Sequence, residues 1–99
     1  MSLLPVVELE QLRREIDALD ARIVALLAER FACTEKVGHL KRAYQLPAMD
    51  ETREAWQMAR FETLADAARL SPQLVQQIFR LIVDEVVERH KQLGTSAAE

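Results

Sequence analysis

Residues 9–44 read LEQLRREIDALDARIVALLAERFACTEKVGHLKRAY. The stretch contains no proline and a single glycine, and its apolar residues recur at steps that suit one face of an α-helix. These residues are Leu12, Ile16, Leu19, Ile23, Leu26, Cys33, Val37 and Leu40. A helix of about 36 residues, at roughly 1.5 Å each, is on the order of 54 Å long. That length exceeds the diameter of a compact monomer of this size, so the stretch predicts a long helix that needs a partner.

Prolines bound this helix on both sides. Residues 1–8 contain Pro5 and are expected to form a short lead-in before a helix that starts near Leu9. Pro47 cannot continue a helix and biases the residue before it toward an extended conformation. Residues 44–49 therefore predict a short loop.

Two further helices follow the loop. Asp50 is a suitable N-cap for a second helix, which is expected to run to about Ala68. Ser71 and Pro72 give the clearest helix start in the chain, an N-cap residue followed by proline at the first helical position. Gly94 is a plausible end for the third helix. The sequence predicts an all-α fold of one long and two shorter helices, in a single domain with its core at about residues 9–93.

Composition narrows the class of protein. The net charge of -3 comes from 13 basic and 16 acidic residues that are interspersed along the 99-residue chain, which argues against nucleic acid as a partner. Cys33 is the only cysteine, so an intrachain disulfide and a cysteine metal cluster are excluded, and its place on the apolar stripe predicts a buried packing thiol. No export signal or membrane span is recognisable, and the expected localisation is the cytoplasm.

Two cations interrupt the apolar face of the long helix. Arg30 occupies a position where the stripe predicts a leucine, and an arginine buried there requires an acidic partner or an anionic ligand. An inter-helix salt bridge explains this position at least as well as a ligand does. Lys41 lies 11 residues further on, which returns it to within roughly 20° of Arg30 and about 16 Å along the axis. Both side chains are long enough to converge on one small dianion.

Other candidate residues have ordinary alternatives. Arg13 points about 100° away from Arg30 and lies roughly 42 Å from Lys41, so it could complete such a site only in an antiparallel dimer; otherwise it is an exposed arginine. The second helix carries Asp50, Arg53 and Glu54 in its first turns, where they could equally serve as a cap and as surface charges. On the third helix, Phe79, Val83, Val86 and His90 form one stripe. A histidine there is a hydrogen-bonded core residue or a donor to a bound anion.

An ordered set of residues resembles the all-α class of chorismate mutases. The set comprises Arg13, Ile16, Leu19-Asp20, Leu26-Leu27-Ala28-Glu29-Arg30, Val37-Gly38, Leu40-Lys41, Pro47, Asp50 and Arg53-Glu54. The resemblance covers about residues 12–90 and rests on the spacings rather than on any single motif. It implies an intertwined homodimer of three-helix chains with two equivalent sites, each completed by an arginine of the other subunit, here Arg13.

The implied reaction is the unimolecular rearrangement of chorismate to prephenate, on the route to phenylalanine and tyrosine. It needs no metal or organic cofactor; catalysis comes from holding a reactive conformer and placing positive groups at the breaking ether oxygen. By resemblance, Arg13 of the other chain and Arg30 bind the two carboxylates with Arg53 nearby, and Lys41 donates to the ether oxygen. Asp50 and Glu54 are expected to orient the substrate hydroxyl.

Two positions on the third helix depart from the family pattern. His90 stands where many relatives have a glutamine that donates to the ether oxygen, and Val86 stands where some have a small hydroxyl residue. His90 must then present an N–H group, as a neutral tautomer or as an imidazolium. If the imidazolium is the active form, turnover falls as pH rises through the range in which histidine titrates, about 6.5.

Three rival functions share the expected fold. An isochorismate pyruvate-lyase or a mutase of 4-amino-4-deoxychorismate would use the same scaffold, although Asp50 with Arg53 and Glu54 resembles the chorismate mutases more. A catalytically silent helical dimer that regulates a partner enzyme is the alternative from another class. Arg30 and Lys41 argue against it, because cations on an apolar face are costly without a ligand.

Overall fold

The computed structural model describes residues 3–47 and 51–92. Within those ranges the chain forms three α-helices and no strand: α1 at Leu4–Tyr44, α2 at Glu51–Ala67 and α3 at Pro72–Gln92. The prediction of an all-α fold with one long and two shorter helices is confirmed. The predicted N-cap at Asp50 and the predicted stop at Gly94 lie outside the described residues. None of the described helices is long and apolar enough to cross a membrane.

Helix α1 starts earlier than the sequence predicts. It begins at Leu4 rather than near Leu9, so the predicted lead-in is wrong for residues 4–8. The carbonyl of Leu3 accepts hydrogen bonds from the amides of Val6 and Val7, each at 3.1 Å. Pro5 lies in this first turn, where its missing N–H costs nothing because first-turn amides have no acceptor within the helix.

The same type of C-terminal turn ends α1 and α2. After α1, Gln45 adopts a positive φ of 51° and the amide of Leu46 donates to the carbonyl of Lys41 at 2.9 Å. After α2, Arg69 has a φ of 57° and the amide of Leu70 donates to the carbonyl of Ala65 at 2.8 Å. Both are Schellman turns, which use the left-handed residue to satisfy a carbonyl of the last helical turn.

The predicted start of α3 is confirmed. The hydroxyl of Ser71 accepts a hydrogen bond from the amide of Leu74 at 3.3 Å, and Pro72 is the first helical residue. A serine in this position satisfies one of the four amides that a helix start leaves without a partner. The tight turn before Ser71 joins α2 directly to α3.

The chain divides into two compact units, Met1–Ala32 and Cys33–Glu99. The first unit is the greater part of α1, and none of its described residues is buried. The second unit contains the end of α1 together with α2 and α3. Its buried residues, among those described, are Thr34, Gly38, Ala65, Val75, Ile82, Val86 and His90.

The apolar stripe of α1 is exposed in this chain. Five leucines and isoleucines of this stripe in the first unit are 50% to 60% exposed to solvent: Leu12, Ile16, Leu19, Ile23 and Leu26. The prediction that Cys33 is a buried packing thiol is wrong, since Cys33 is exposed. The buried position is the next residue, Thr34, and one residue along a helix turns the side chain by about 100°.

Candidate functional site

Among the described residues of the second unit, His90 has the most enclosed polar side chain. It lies in the last turns of α3, is 1% exposed, and places its Nε2 atom 2.8 Å from the backbone carbonyl oxygen of Thr34 on α1. A carbonyl can only accept, so Nε2 carries the hydrogen and donates it. Within the described part of the chain, the other ring nitrogen, Nδ1, is buried and has no hydrogen-bond partner. His90 therefore joins α3 to α1 through one nitrogen and leaves the second unsatisfied.

Apolar residues precede His90 along the buried stripe of α3. Val86, one turn earlier, is 1% exposed, and Ile82 is also buried. Phe79 and Val83 are half-buried. The structure thus places Val86 and His90 together on the buried face of α3, in the way that an apolar stripe with helical spacing requires.

Lys41 belongs to the same unit and lies on α1. It is half-buried, and it follows Thr34 by seven residues, which returns it to within about 20° of Thr34 around the helix. The face of α1 that meets His90 therefore also carries Lys41. A partly buried ammonium group interacts more strongly with an anion than one in open solvent does.

An ion-pair network flanks the contact between Thr34 and His90. The guanidinium of Arg89 donates to Glu35 on α1 at 2.8 Å and to Glu85 on α3 at 3.1 Å. The hydrogen bonds to Glu85 and then to Glu35 raise the pKa of Arg89, which stays fully charged. Sequence analysis missed this network. The four-residue spacing of Glu85 and Arg89 is a signal for their pair, but nothing in the sequence pointed to Glu35.

The two predicted arginines of α1 lie in the first unit. Arg30 is half-buried. Arg13 is exposed, with 62% of its side chain accessible, and its guanidinium lies 3.5 Å from the carboxylate of Glu10 one turn earlier. This is the surface position that the alternative reading of Arg13 as an exposed arginine predicts.

The start of α2 holds the remaining predicted residues. Arg53 lies over the ring of Trp56, with its Cζ atom 4.9 Å from the ring centroid, and Arg60 approaches the same ring at 5.9 Å. Both distances are within cation–π range. Glu54 is exposed. Asp50 lies outside the described residues.

Glu54 also borders a cavity between α2 and α3 that the sequence did not reveal. Its volume is about 280 Å³. The lining residues are Glu54, Gln57, Met58, Phe61, Gln76, Phe79, Arg80, Val83 and Asp84. Two of these residues, Phe61 and Phe79, stack directly on each other, with their ring centroids 4.0 Å apart and their planes at 19°. Among the described residues, no group of three or more His, Cys, Asp or Glu side chains could hold a metal ion.

Comparison with known proteins identifies the family. The family described as chorismate mutase type II matches residues 12–91. The chain belongs to this family. The match to the chorismate mutases runs from before Arg13 to just after His90, so every predicted site residue lies inside it. The resemblance inferred from the residue spacings is thereby confirmed.

The curated relatives are of two kinds. The T-protein of Enterobacter agglomerans is 35% identical over 80 residues, which are 81% of this chain and 21% of that protein. The bifunctional chorismate mutase/prephenate dehydratase of Escherichia coli K12 is 37% identical over 76 residues, 77% of this chain and 20% of that protein. The chain thus spans about a fifth of the length of these two relatives. The chorismate mutase of Methanocaldococcus jannaschii is 26% identical over 85 residues, 86% of each chain.

Proposed function

We propose that this chain is an isomerase that rearranges chorismate to prephenate, for the synthesis of phenylalanine and tyrosine. The observation that carries the proposal is the family match over residues 12–91. It encloses all of the predicted site residues, which are Arg13, Arg30, Lys41, Asp50, Arg53, Glu54, Val86 and His90. A second support is the half-buried position of Lys41 on the face of α1 that meets His90.

The proposed mechanism is electrostatic and conformational. Chorismate carries two carboxylates, and negative charge develops on its ether oxygen as the bond from that oxygen to the ring carbon breaks. Arg30 and an Arg13 from a second copy of the chain bind the carboxylates, with Arg53 nearby. Lys41 donates to the ether oxygen, and a preorganised donor of this kind acts without reorganising solvent at the moment of reaction. Binding the reactive conformer supplies the rest of the rate enhancement.

The other residues shape the site. Asp50 and Glu54 orient the ring hydroxyl of the substrate. Val86 contributes an apolar wall, since it is 1% exposed and cannot donate a hydrogen bond where some relatives have a hydroxyl. His90 takes the place of the second donor to the ether oxygen. The reaction breaks and forms bonds within one molecule, so no side chain of the protein has to act as a nucleophile.

We also place the active unit in a homodimer. The leucines and isoleucines of the stripe in the first unit are about half exposed, and burying the exposed half of each side chain gains about 1 kcal/mol. A second copy of the chain offers the same stripe, as a two-fold symmetric interface requires. In that arrangement Arg13 leaves its pair with Glu10 to complete the site of the other chain.

Product analysis tests the proposal. Chorismate, isochorismate and 4-amino-4-deoxychorismate are offered separately to the wild-type chain, to Lys41→Ala and to Lys36→Ala. We expect prephenate from chorismate, a loss of about 10²–10³ in kcat/KM for Lys41→Ala, and no change for the exposed Lys36 variant. Turnover of isochorismate or the amino analogue alone would move the chain to a rival chemistry on the same scaffold. No turnover of any substrate would favour the silent binding module.

A further inference from the structure

The two nitrogens of the His90 ring have opposite surroundings. Nε2 donates to the carbonyl oxygen of Thr34 at 2.8 Å, whereas Nδ1 is buried without a partner in the described part of the chain. Moving the proton of neutral His90 from Nε2 to Nδ1 would leave a lone pair facing the Thr34 carbonyl. Two acceptors at hydrogen-bond distance repel each other, and both would be buried. The neutral tautomer with a hydrogen on Nδ1 is therefore disfavoured.

This excludes one of the two ways in which His90 could serve as a donor. With Nε2–H committed to Thr34, the ring of neutral His90 presents only an acceptor to a ligand. The ether oxygen and the carboxylates of a chorismate-like dianion are acceptors too. We infer that His90 takes up a proton at Nδ1 when the dianionic ligand binds, and that it donates this Nδ1–H to the ligand while Nε2–H remains on Thr34. This inference rests on the proposed function.

The charges around His90 favour this order of events. On α3 the neighbouring charges are Glu85 and Arg89, and on α1 they are Glu35 and Lys41. Both carboxylates are hydrogen-bonded to Arg89, while Lys41 adds a positive charge on the face of α1 that meets His90. An imidazolium without a ligand would add a third cation beside Arg89 and Lys41, and a buried Nδ1–H donor that needs an acceptor.

One charged residue of α2, Glu54, lies at the cavity between α2 and α3. Glu54 borders that cavity together with Arg80 and Asp84 of α3, so carboxylates and a guanidinium share it. A dianionic ligand favours the imidazolium form of His90 over the neutral form, because it brings two negative charges and an acceptor for Nδ1–H. The proton comes from solvent on binding and returns to solvent when the product leaves, so turnover consumes no net proton.

Proton linkage gives the expected pH dependence. Where free His90 is neutral and bound His90 is charged, the complex holds one more proton than the separate partners. The dissociation constant then rises about tenfold for each unit of pH increase over that range. A glutamine at this position donates through its amide without a proton, so His90→Gln removes the dependence.

The tautomer is tested first, in the ligand-free chain. Nitrogen-15 NMR of the imidazole rings separates a protonated from an unprotonated ring nitrogen. Near pH 8 we expect His90 to be neutral, with its hydrogen on Nε2 and a bare Nδ1. His39, exposed on α1, is the internal control and should show rapid exchange between tautomers. A hydrogen on Nδ1 of His90 with a bare Nε2 would overturn the inference, whatever the chain's substrate is.

Proton uptake is tested with a stable bicyclic ether dicarboxylate that mimics the rearranging ring. Calorimetry in two buffers of different ionisation enthalpy counts the protons taken up between pH 6 and 8.5. Fluorescence of Trp56, the only tryptophan, reports affinity. We expect an uptake of about one proton by the wild-type chain and by His39→Gln near pH 8. His90→Gln should show none and bind more tightly than wild type at pH 8.5.

The outcomes separate this inference from the proposed function. Turnover of chorismate combined with no proton uptake and a flat affinity profile would keep the mutase and overturn the role of His90. A pH dependence that persists in His90→Gln would overturn it as well. Failure of the wild-type chain to bind the dicarboxylate or to turn over chorismate would overturn both. If His90→Gln does not fold, proton uptake by the wild-type chain compared with His39→Gln still decides.

Discussion

The two units of this chain differ in how they treat apolar side chains, although α1 runs through both. In the first unit no described residue is buried, and five leucines and isoleucines of the stripe are at least half exposed. In the second unit the end of α1 contacts α3 through Thr34 and Glu35, α2 packs against α3, and all the buried residues that the structure describes lie there. Apolar residues recur at helical spacing in both units. The units differ in whether another helix of the same chain packs against those residues.

That difference shows what a hydrophobic pattern does and does not specify. A stripe at helical spacing predicts which face will be buried, but burial requires another surface. A helix of this length is kept mainly by packing of its apolar face rather than by intrinsic propensity. The exposed stripe of the first unit is thus the strongest argument for a second chain, and charges placed on it should have large effects.

The largest expected effect comes from Ile16→Asp combined with Ile23→Asp. A two-fold symmetric dimer would bury four new charges, so we expect the dissociation constant of the dimer to rise by at least about 10³-fold, with loss of mutase activity. Analytical ultracentrifugation at micromolar concentration measures the change. The second unit holds its own core, and circular dichroism should show that α2 and α3 keep their helical structure.

Ala21→Asp is the matched control for this pair of substitutions. Ala21 is exposed on α1 and lies about 200° around the helix from Ile23, so its carboxylate should stay in solvent. It adds one negative charge per chain, against two in the isoleucine variant, and it does so without touching the stripe. A wild-type chain that is monomeric at this concentration would contradict the dimer proposal. An Ala21→Asp variant that weakens the dimer as much as the isoleucine variant does would contradict it too.

The next effect tests the donation of Arg13 between chains. Arg13→Ala should lower kcat/KM by about 10²–10³, because a carboxylate of the substrate loses a charged donor. Arg13→Ala and Lys41→Ala are then mixed in equal amounts and allowed to exchange subunits. A mixed dimer rebuilds one complete site of its two, so random pairing should restore about a quarter of wild-type activity.

Subunit exchange distinguishes the two places from which Arg13 could act. If it served the site of its own chain, neither site of a mixed dimer would be complete and the activity would stay at the level of the single variants. Arg14→Ala, which removes an exposed arginine next in the chain, is the control and should retain full activity. If Arg14→Ala were inactive, the loss of activity in Arg13→Ala would reflect the loss of any positive charge from the first unit rather than a specific role of Arg13.

Much of the fold could be predicted from local signals. The end of α1 near Pro47 and the start of α3 at Ser71 follow from turn and cap chemistry, which acts over a few residues. The sequence predicts that α1 starts near Leu9, because a proline at position 5 suggests a break. The helix in fact starts at Leu4, since a proline is tolerated in the first turn. The spacing of apolar residues predicts that Cys33 is buried. In the structure the next residue, Thr34, is buried and Cys33 is exposed.

The candidate site was harder to predict, for physical reasons. The spacing of apolar residues predicts His90 and Lys41 as site residues, because each is a polar or charged residue on an otherwise apolar helix face. Spacing could not show that Nε2 of His90 would meet the carbonyl of Thr34, since backbone acceptors leave no trace in the sequence. The pair of Glu35 and Arg89 was missed because its members are far apart in the chain and each has an ordinary surface alternative.

The smallest effect we predict concerns that pair. Glu35→Gln keeps the shape of the side chain but removes its charge, which weakens the 2.8 Å contact between α1 and α3. Both side chains are more than a third exposed, so water and salt screen the pair and Tm should fall by a few degrees at most. Thermal unfolding followed by circular dichroism at low and high salt measures it, and the difference from wild type should shrink at high salt.

Glu88→Gln is the comparison that gives this small shift a meaning. Glu88 pairs with Lys91 at 3.7 Å within α3, and both side chains are about two-thirds exposed, so its loss should leave Tm unchanged. A larger shift for Glu35→Gln then reports the link between α1 and α3 beside His90 rather than a general response to lost charge. Equal shifts would mean that the ion pair contributes nothing to the second unit, and that the contact of His90 with Thr34 and the apolar core hold the end of α1 in place.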